Sequence, residues 1–436
     1  MTYMCQVTTS GRPMVNAFSV TALVMGLIFM SHASAGDLRL SVGTEYEYIS
    51  SDFYLLSEDT LAIDPDSLDA LKRSIDAANE ISLFGKIRYG HEFSDAAKME
   101  IYNRTSASTE SFKSNLDIRF YLGAFKIINY LNLRNLDRKG EESLNHDYIT
   151  NTTYAIARPH LGKGYYVQLK NSFEFTRYDD PTGYFYDYNY NKLNFMIEKD
   201  FGFDGRIAAG YRNDIKRVAD STRLEYDRHL FILEGDYSPS WRLRAYLYNE
   251  FSIKDAQKEY NIEDGSINNL ELTVNYSPSF DFSLRFFSQF EYTTYEAEDF
   301  VYFDQYYIKS KLDFRYSVGE KLTFSLGPHY RRLTAQNSEF DSQDFYEYSI
   351  EPRIEYILGT RLWLDVSFEI GRHIYSGVNS VLFSNHNLYQ FNLLFDALLT
   401  DHIAFNVLAS IDWERHQLEV DNTNLYLITS SLEYRF

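Results

Sequence analysis

Apolar and polar residues alternate along the chain with a period of two. After a short turn near position 240, Trp241, Leu243, Ala245, Leu247, Phe251 and Ile253 alternate with Arg242, Arg244, Tyr246, Tyr248, Glu250 and Ser252. That period places one set on each face of a β-strand. The same parity recurs where Leu322, Phe324 and Leu326 interleave with Lys321, Thr323 and Ser325. It recurs again where Ile403, Phe405, Val407 and Ile411 interleave with His402, Asn406, Ser410 and Asp412. Such runs last about thirteen residues, long against the five or six of an ordinary soluble strand. They suit a tilted strand that needs about 9 to 11 residues to cross hydrocarbon.

The strands are organised by a repeat. The segment YSPSWRLRAYLYNEF from Tyr237 returns as YSPSFDFSLRFFSQFEY from Tyr276, YSVGEKLTFSL from Tyr316 and YILGTRLWLDVSF from Tyr356, with a looser copy from Phe395. The spacings are 39, 40, 40 and 39 residues. Periods of this size also occur in propellers and solenoids, but each copy is an aromatic strand end, a short turn and an alternating strand, with no propeller or helical-repeat signature. Weaker turns follow Tyr89, Tyr121, Tyr154 and Phe201. The prediction is an all-β, antiparallel up-and-down transmembrane barrel of about 20 strands, or 18 if one N-terminal hairpin lies outside the wall. The connections opposite the short turns are longer and polar, among them RKGEESLNH from Arg138 and KDAQKEYNIEDGS from Lys254. That asymmetry assigns the short turns to the periplasm and the long loops to the cell exterior.

Two segments break the pattern. Arg12, the apolar run Ala17 to Met30 and the triplet Ala33-Ser34-Ala35 follow the order of a secretory signal peptide. Residues 1–35 are therefore expected to be removed, leaving 36–436 as one barrel domain. The apolar run is too short for a membrane-spanning helix. The second segment is the first long loop, 50–79, where Asp64, Pro65 and the apolar Leu68, Leu71, Ile75 and Ala78 predict a short helix over Ile63 to Glu80. That helix is read as packing on the rim or folding inward as a lid.

Composition narrows the chemistry. The chain has 38 Tyr and 33 Phe but 8 Pro, an enrichment that favours strands carrying rings at membrane interfaces. A net charge of -20 argues against nucleic acid as a partner. The single cysteine, Cys5, falls in the leader, so the mature chain is expected to form no disulfide and no Cys-ligated metal site.

The polar parity defines an inner wall carrying both signs. Its candidate pore-lining residues are Arg242, Arg244, Tyr246, Tyr248, Glu250, Arg285, Glu291, Lys309, Lys311, Asp313, Arg315, Arg331, Arg353, Glu355, Asp365 and Glu369. Two readings stay open: ion pairs that hold strand register, or a lining that hydrates and orients a charged or hydroxylated solute. Tyr246, Tyr248, Tyr295 and Tyr307 on the same parity are positioned to stack on sugar faces.

No nucleophile elbow, zinc-protease motif or phosphate loop is present. Asp412 and His416 share a strand face and form the one acid–base pair that suggests a hydrolase. His329 and His373 read as wall residues rather than metal ligands. No enzyme activity, cofactor or metal is expected.

The chain ends NLYLITSSLEYRF, with Leu432, Tyr434 and the terminal Phe436 on one face. This resembles the C-terminal assembly signal of the Gram-negative outer-membrane β-barrel superfamily. Within it the chain most resembles β-barrel porins, some of which are associated with exopolysaccharide export. The resemblance covers Gly36 to Phe436. It implies residence in the outer membrane, contact with outer-membrane lipid and lipopolysaccharide, and recognition by the barrel-assembly machinery. The functions it implies are a conduit for hydrophilic solutes, saccharides among them, or the outer-membrane partner of a polysaccharide secretion system with a periplasmic export partner. The large N-terminal plug sequence of TonB-dependent receptors and the constriction-loop sequence of general porins are not seen.

Overall fold

A computed structural model describes residues 37–54, 72–108, 111–136, 147–179, 186–219, 224–256, 264–298, 302–376, 384–416 and 422–436. The expected leader and the middle of the first loop lie outside them. Twenty strands form the wall: β1 (Asp37–Tyr54), β2 (Lys72–Ser94), β3 (Ala97–Ala107), β4 (Ser111–Leu122), β5 (Phe125–Leu136), β6 (Tyr148–Ala157), β7 (Tyr165–Tyr178), β8 (Tyr188–Asp200), β9 (Gly205–Val218) and β10 (Tyr226–Ser240), then β11 (Leu243–Ala256), β12 (Gly265–Tyr276), β13 (Phe282–Tyr295), β14 (Gln305–Val318), β15 (Leu322–Ala335), β16 (Phe345–Leu358), β17 (Leu362–Tyr375), β18 (His386–Leu398), β19 (Ile403–His416) and β20 (Thr423–Arg435). A three-residue strand, His160–Gly162, sits within the turn before β7. Each wall strand pairs antiparallel with the next, and β20 pairs with β1, where Ser41 faces Arg435 and Asp52 faces Asn424. The sheet is closed, so no strand edge is left unpaired. Twenty strands spaced about 4.8 Å and tilted about 40° enclose a circle about 40 Å across between backbones.

The first loop differs from the expectation. β1 runs on to Tyr54 and β2 begins at Lys72, with Ser50 facing Asp76 and Tyr54 facing Lys72 after a register shift at Ile49/Ser50. Residues 72–80, the second half of the expected helix, are therefore strand; residues 63–71 lie outside the described part. Backbone pairing with β1 satisfies the N–H and C=O groups over these residues, and the helical spacing of a few apolar side chains does not outweigh it.

The short turns are tight. Asp95-Ala96, Gly123-Ala124 and Trp241-Arg242 are two-residue links, and Gly319 and Gly359, with φ of 62° and 55°, open three-residue links 40 positions apart. Those angles lie in the left-handed region that glycine adopts at least cost.

The extracellular ends repeat as well, through a signal the pattern reading missed. An Asp or Asn just before several of the returning strands accepts the N–H at the end of the preceding one. Asp187 accepts from Tyr178 at 2.8 Å, Asp304 from Tyr295 at 2.7 Å, Asp344 from Ala335 at 2.6 Å, Asn385 from Tyr375 at 2.7 Å and Asn422 from His416 at 2.8 Å. The backbone carbonyls of Asp187, Asp304 and Asp344 also accept, from Ala219, Gln336 and Ser376 on the far side. Each such residue thus links the end of its own hairpin to the next. In one loop, Glu298 accepts from Asp304 N–H and from the Asn337 amide, each at 3.0 Å. These bonds hold its carboxyl below the ordinary carboxylate range. The tie is in place at neutral pH and is lost as pH falls through that lowered value. Replacing Asp304 by Ala is expected to fray the β13–β14 hairpin end. The hydrogen bond is worth about 1 kcal/mol, so amide exchange at Tyr295 should speed up about fivefold while Tyr375 is unchanged.

The outer face is apolar with aromatic ends. Trp241 and Phe280 stack across adjacent periplasmic turns, 4.6 Å between centroids and 5° from parallel, and Tyr316, Trp363, Tyr434 and Phe436 are exposed at the same end. Rings at this level suit a membrane–water interface. Polar side chains on the outer face bond to one another: Asn151 donates to Asn129 at 3.2 Å, Asn171 to Asn191 at 3.2 Å and Asn249 to Asn268 at 2.9 Å. Pairing lowers the cost of placing an amide against hydrocarbon.

Candidate functional site

The register fixes which side chains face the lumen. Ser41, Gly43 and Glu45 of β1 oppose Lys86, Phe84 and Ser82 of β2, and following the pairing around the sheet carries that face through Arg285 opposite Asp313, Lys309 opposite Arg331 and Glu355 opposite Asp365. Fifteen of the sixteen candidate lining residues fall on it within strands. Arg242 does not: it lies in the turn before β11, with its guanidinium 5.1 Å from the centre of the Trp241 ring. The turn occupies Trp241-Arg242 because the ladder runs on through the SPS triplet to Ser240 opposite Leu243.

Several of the ionic contacts skip a strand. Lys311 of β14 reaches Glu351 of β16 at 2.7 Å, and Arg315 pairs with Glu355 in the same way. His329 Nδ1 of β15 lies 3.0 Å from Glu369 of β17. Each pair is 40 residues apart because one hairpin period returns the chain to the same height on the same face. Two such crossings pass over a glycine. At Gly327, between Lys311 and Glu351, a Cβ would lie 3.1 Å from Lys311 Cε and 3.3 Å from His329 Nε2, and in closer conflict with Asp313. At the seam, Gly43 has the same role for Lys86 of β2 and Glu433 of β20, which pair over β1.

Other pairs join neighbouring strands or run along one. Arg244 donates to Asp236 at 2.5 Å, Arg353 Nε to Asp365 at 2.8 Å, and Arg331 lies 3.2 Å from Glu347. Arg212 of β9, by contrast, reaches over β10 to lie 3.6 Å from Glu250 of β11, and Glu250 also accepts from the Tyr248 hydroxyl. Glu291 accepts from Thr293 at 3.4 Å. Toward the periplasmic end Arg285, Asp313, Arg315, Arg353 and Glu355 line a recess of about 210 Å³ together with Ser325. Tyr246 and Tyr307 face inward and are half-buried, whereas Tyr295 packs edge-on against Tyr302 at 5.4 Å at the extracellular mouth.

The acid–base pair singled out by spacing does not form. His416 Nδ1 bonds the Ser384 hydroxyl and its Nε2 lies 3.6 Å from Glu414, while Asp412 sits opposite Gln390 and Leu425. At the C-terminus Leu432, Tyr434 and Phe436 all point outward and are exposed, with the Tyr434 and Phe436 rings edge to face at 5.0 Å. Phe436 N–H donates to Leu40 O at 3.1 Å, which ties the last residue across the seam to the first strand.

No family model and no curated protein matches the sequence. Among solved structures the chain is similar to the FrpB iron transporter from Neisseria meningitidis in its F5-1 apoprotein form, at 8% identity and a TM-score of 0.57, covering 92% of this chain and 81% of that one. It is similar to the siderophore receptor PirA from Acinetobacter baumannii at 8% identity and TM-score 0.57, covering 92% and 81%. The PirA receptor from Pseudomonas aeruginosa gives 6% identity and TM-score 0.52, covering 91% and 80%. At these identities the likeness is one of fold: a closed, antiparallel, up-and-down β-barrel.

Proposed function

We propose that the protein is an integral outer-membrane pore for hydrophilic solutes, with saccharides as the favoured class, exported by way of its N-terminal leader. The observation that carries this reading is the inner wall. It is largely polar, with a buried apolar patch at Met196, Ala208 and Ile232, and many of its charges are neutralised by partners on the same wall, as Lys311 is by Glu351 and Arg353 by Asp365. A lining with its charges paired presents hydroxyls, amides and half-buried Tyr246 and Tyr307 to the lumen, groups that hydrogen-bond and stack on an uncharged polyol without selecting strongly for ion sign. Barrels of 16 to 18 strands already leave an aqueous channel, and this one has two more.

Proteoliposomes containing the purified barrel should swell in isotonic monosaccharide and disaccharide, more slowly as the sugar grows. An absence of swelling with every solute would remove the pore reading. If the isolated barrel stays closed while its deletion abolishes a surface polymer, the protein is instead the outer-membrane partner of a polysaccharide secretion system.

A further inference from the structure

Near the extracellular mouth three histidines stand abreast on adjacent strands of the inner wall. His373 of β17 faces His386 of β18, and His386 faces His416 of β19. The rings of His373 and His386 stack at 4.8 Å, 8° from parallel, and those of His386 and His416 lie 4.4 Å apart. Ser384, which is buried, orients two of them. Its carbonyl accepts from His386 Nδ1 at 3.1 Å and its hydroxyl bonds His416 Nδ1. With Nδ1–H given to the carbonyl, the lone pair of His386 resides on Nε2. His416 Nε2 has no hydrogen-bond partner among the described residues and lies 3.6 Å from Glu414. The Glu414 carboxylate is itself steadied by Thr423, whose hydroxyl donates to it at 2.6 Å.

His386, Glu414 and His416 each offer a ligand atom, and the three lie within 4.8 Å of one another. A tetrahedral ion with bonds of about 2.0–2.1 Å separates its donors by about 3.3 Å, so the site closes on a metal with side-chain movement of an ångström or so. The Ser384 carbonyl and hydroxyl already fix the ring planes, as such outer hydrogen bonds do for metal-ligating histidines generally. We propose that these three residues bind a first-row divalent metal of the Zn2+ class, with the remaining coordination position open to the lumen.

A second cluster, His329, Glu351 and Glu369, meets the same distance test and serves as the contrast. There the place of a cation is taken by Lys311, 2.7 Å from Glu351, and the Ser349 hydroxyl bonds Glu369. A metal entering there would have to displace the Lys311 ammonium from Glu351 and the Ser349 hydroxyl from Glu369.

The test uses untagged full-length barrel folded in detergent. Co2+ is added and its visible absorption followed, Zn2+ is then added as competitor, and the stoichiometry is counted by equilibrium dialysis. The expected result is one saturable site with the intense bands of four-coordinate Co2+, displaced by Zn2+. His386→Ala and His416→Ala should each weaken it at least tenfold, while His329→Ala leaves it unchanged. Folding of every variant is checked by its heat-modifiable gel mobility. Should an alanine variant not fold, Ser384→Ala retains all three ligands and is expected to cost about 10- to 100-fold in affinity. Folded wild-type protein with no saturable binding, or ligand variants with wild-type affinity, would overturn the proposal.

Discussion

Gly43→Val is expected to reduce sharply the fraction of chain that refolds into a closed barrel. Gly43 lies in β1 at the seam, where a Cβ would sit 2.6 Å from the Phe84 ring, 2.9 Å from Glu433 Cα and in conflict with the Leu432 carbonyl. The same bare position lets Lys86 and Glu433 pair across β1. A valine therefore both overpacks the seam and separates the Lys86–Glu433 pair that links β2 to β20. Overpacking alone costs about 1–3 kcal/mol, and weakening the pair adds to it because Glu433 is buried and keeps, among the described residues, only Arg435, at 3.3 Å, as its cation. The measurement is the ratio of compact to extended bands on unheated gels after refolding, with the urea midpoint beside it. Gly85→Val is the control, since a Cβ there meets nothing within 4 Å. Equal refolding of the two variants would sink the idea.

Lys311→Glu should produce the largest change in permeation. The substitution places a third carboxylate beside Asp313 and Glu351, which lie 3.3 Å and 2.7 Å from the present ammonium. Two like charges at 4 Å repel by about 1 kcal/mol in water and about 4 kcal/mol at the effective dielectric of a protein surface. Permeating cations relieve that repulsion, so the pore should turn cation-selective by several-fold, read as a shift in reversal potential under a salt gradient in planar bilayers. The shift should shrink at high ionic strength because these charges face water and are screened. A reversal potential identical to wild type would mean that this stretch of wall lies off the conducting path.

Much of the barrel is written in the chain as parity and period. Alternation in WRLRAYLYNEF assigned the lumen face of β11 and the turn repeat located the other strands, because a period of two and a hairpin of fixed length are local properties. Three features were not legible, each for a different reason. The strand over Lys72–Glu80 is set by pairing with β1, which helical spacing of apolar residues does not report. The Lys86–Glu433 and Lys311–Glu351 pairs cross the strand between at Gly43 and Gly327, and a glycine in a strand reads locally only as a weak position. The extracellular Asx residues were accessible in principle, since Asp187, Asp264, Asp304 and Asp344 keep nearly the same spacing as the tyrosine turns. They were overlooked because loop carboxylates look like solvated charge until their backbone partners are seen. The same limit applied to Asp412 and His416. Spacing put them on one face, but only coordinates place Ser384, from a loop 32 residues away, against the imidazole.

Because the clamps at Asp264, Asp304 and Asp344 and the pairs Lys311–Glu351, Arg315–Glu355 and His329–Glu369 all recur at a 40-residue hairpin length, this part of the wall is assembled from interchangeable units rather than from individually specified strands. A chain of this kind can gain or lose one such unit, and so widen or narrow its lumen by about a tenth at constant strand spacing, with each surviving junction meeting a neighbour of the shape it already accepts. Bore is thereby uncoupled from joinery, and duplication of a single hairpin offers a route from one sieve size to the next without redesign of the wall.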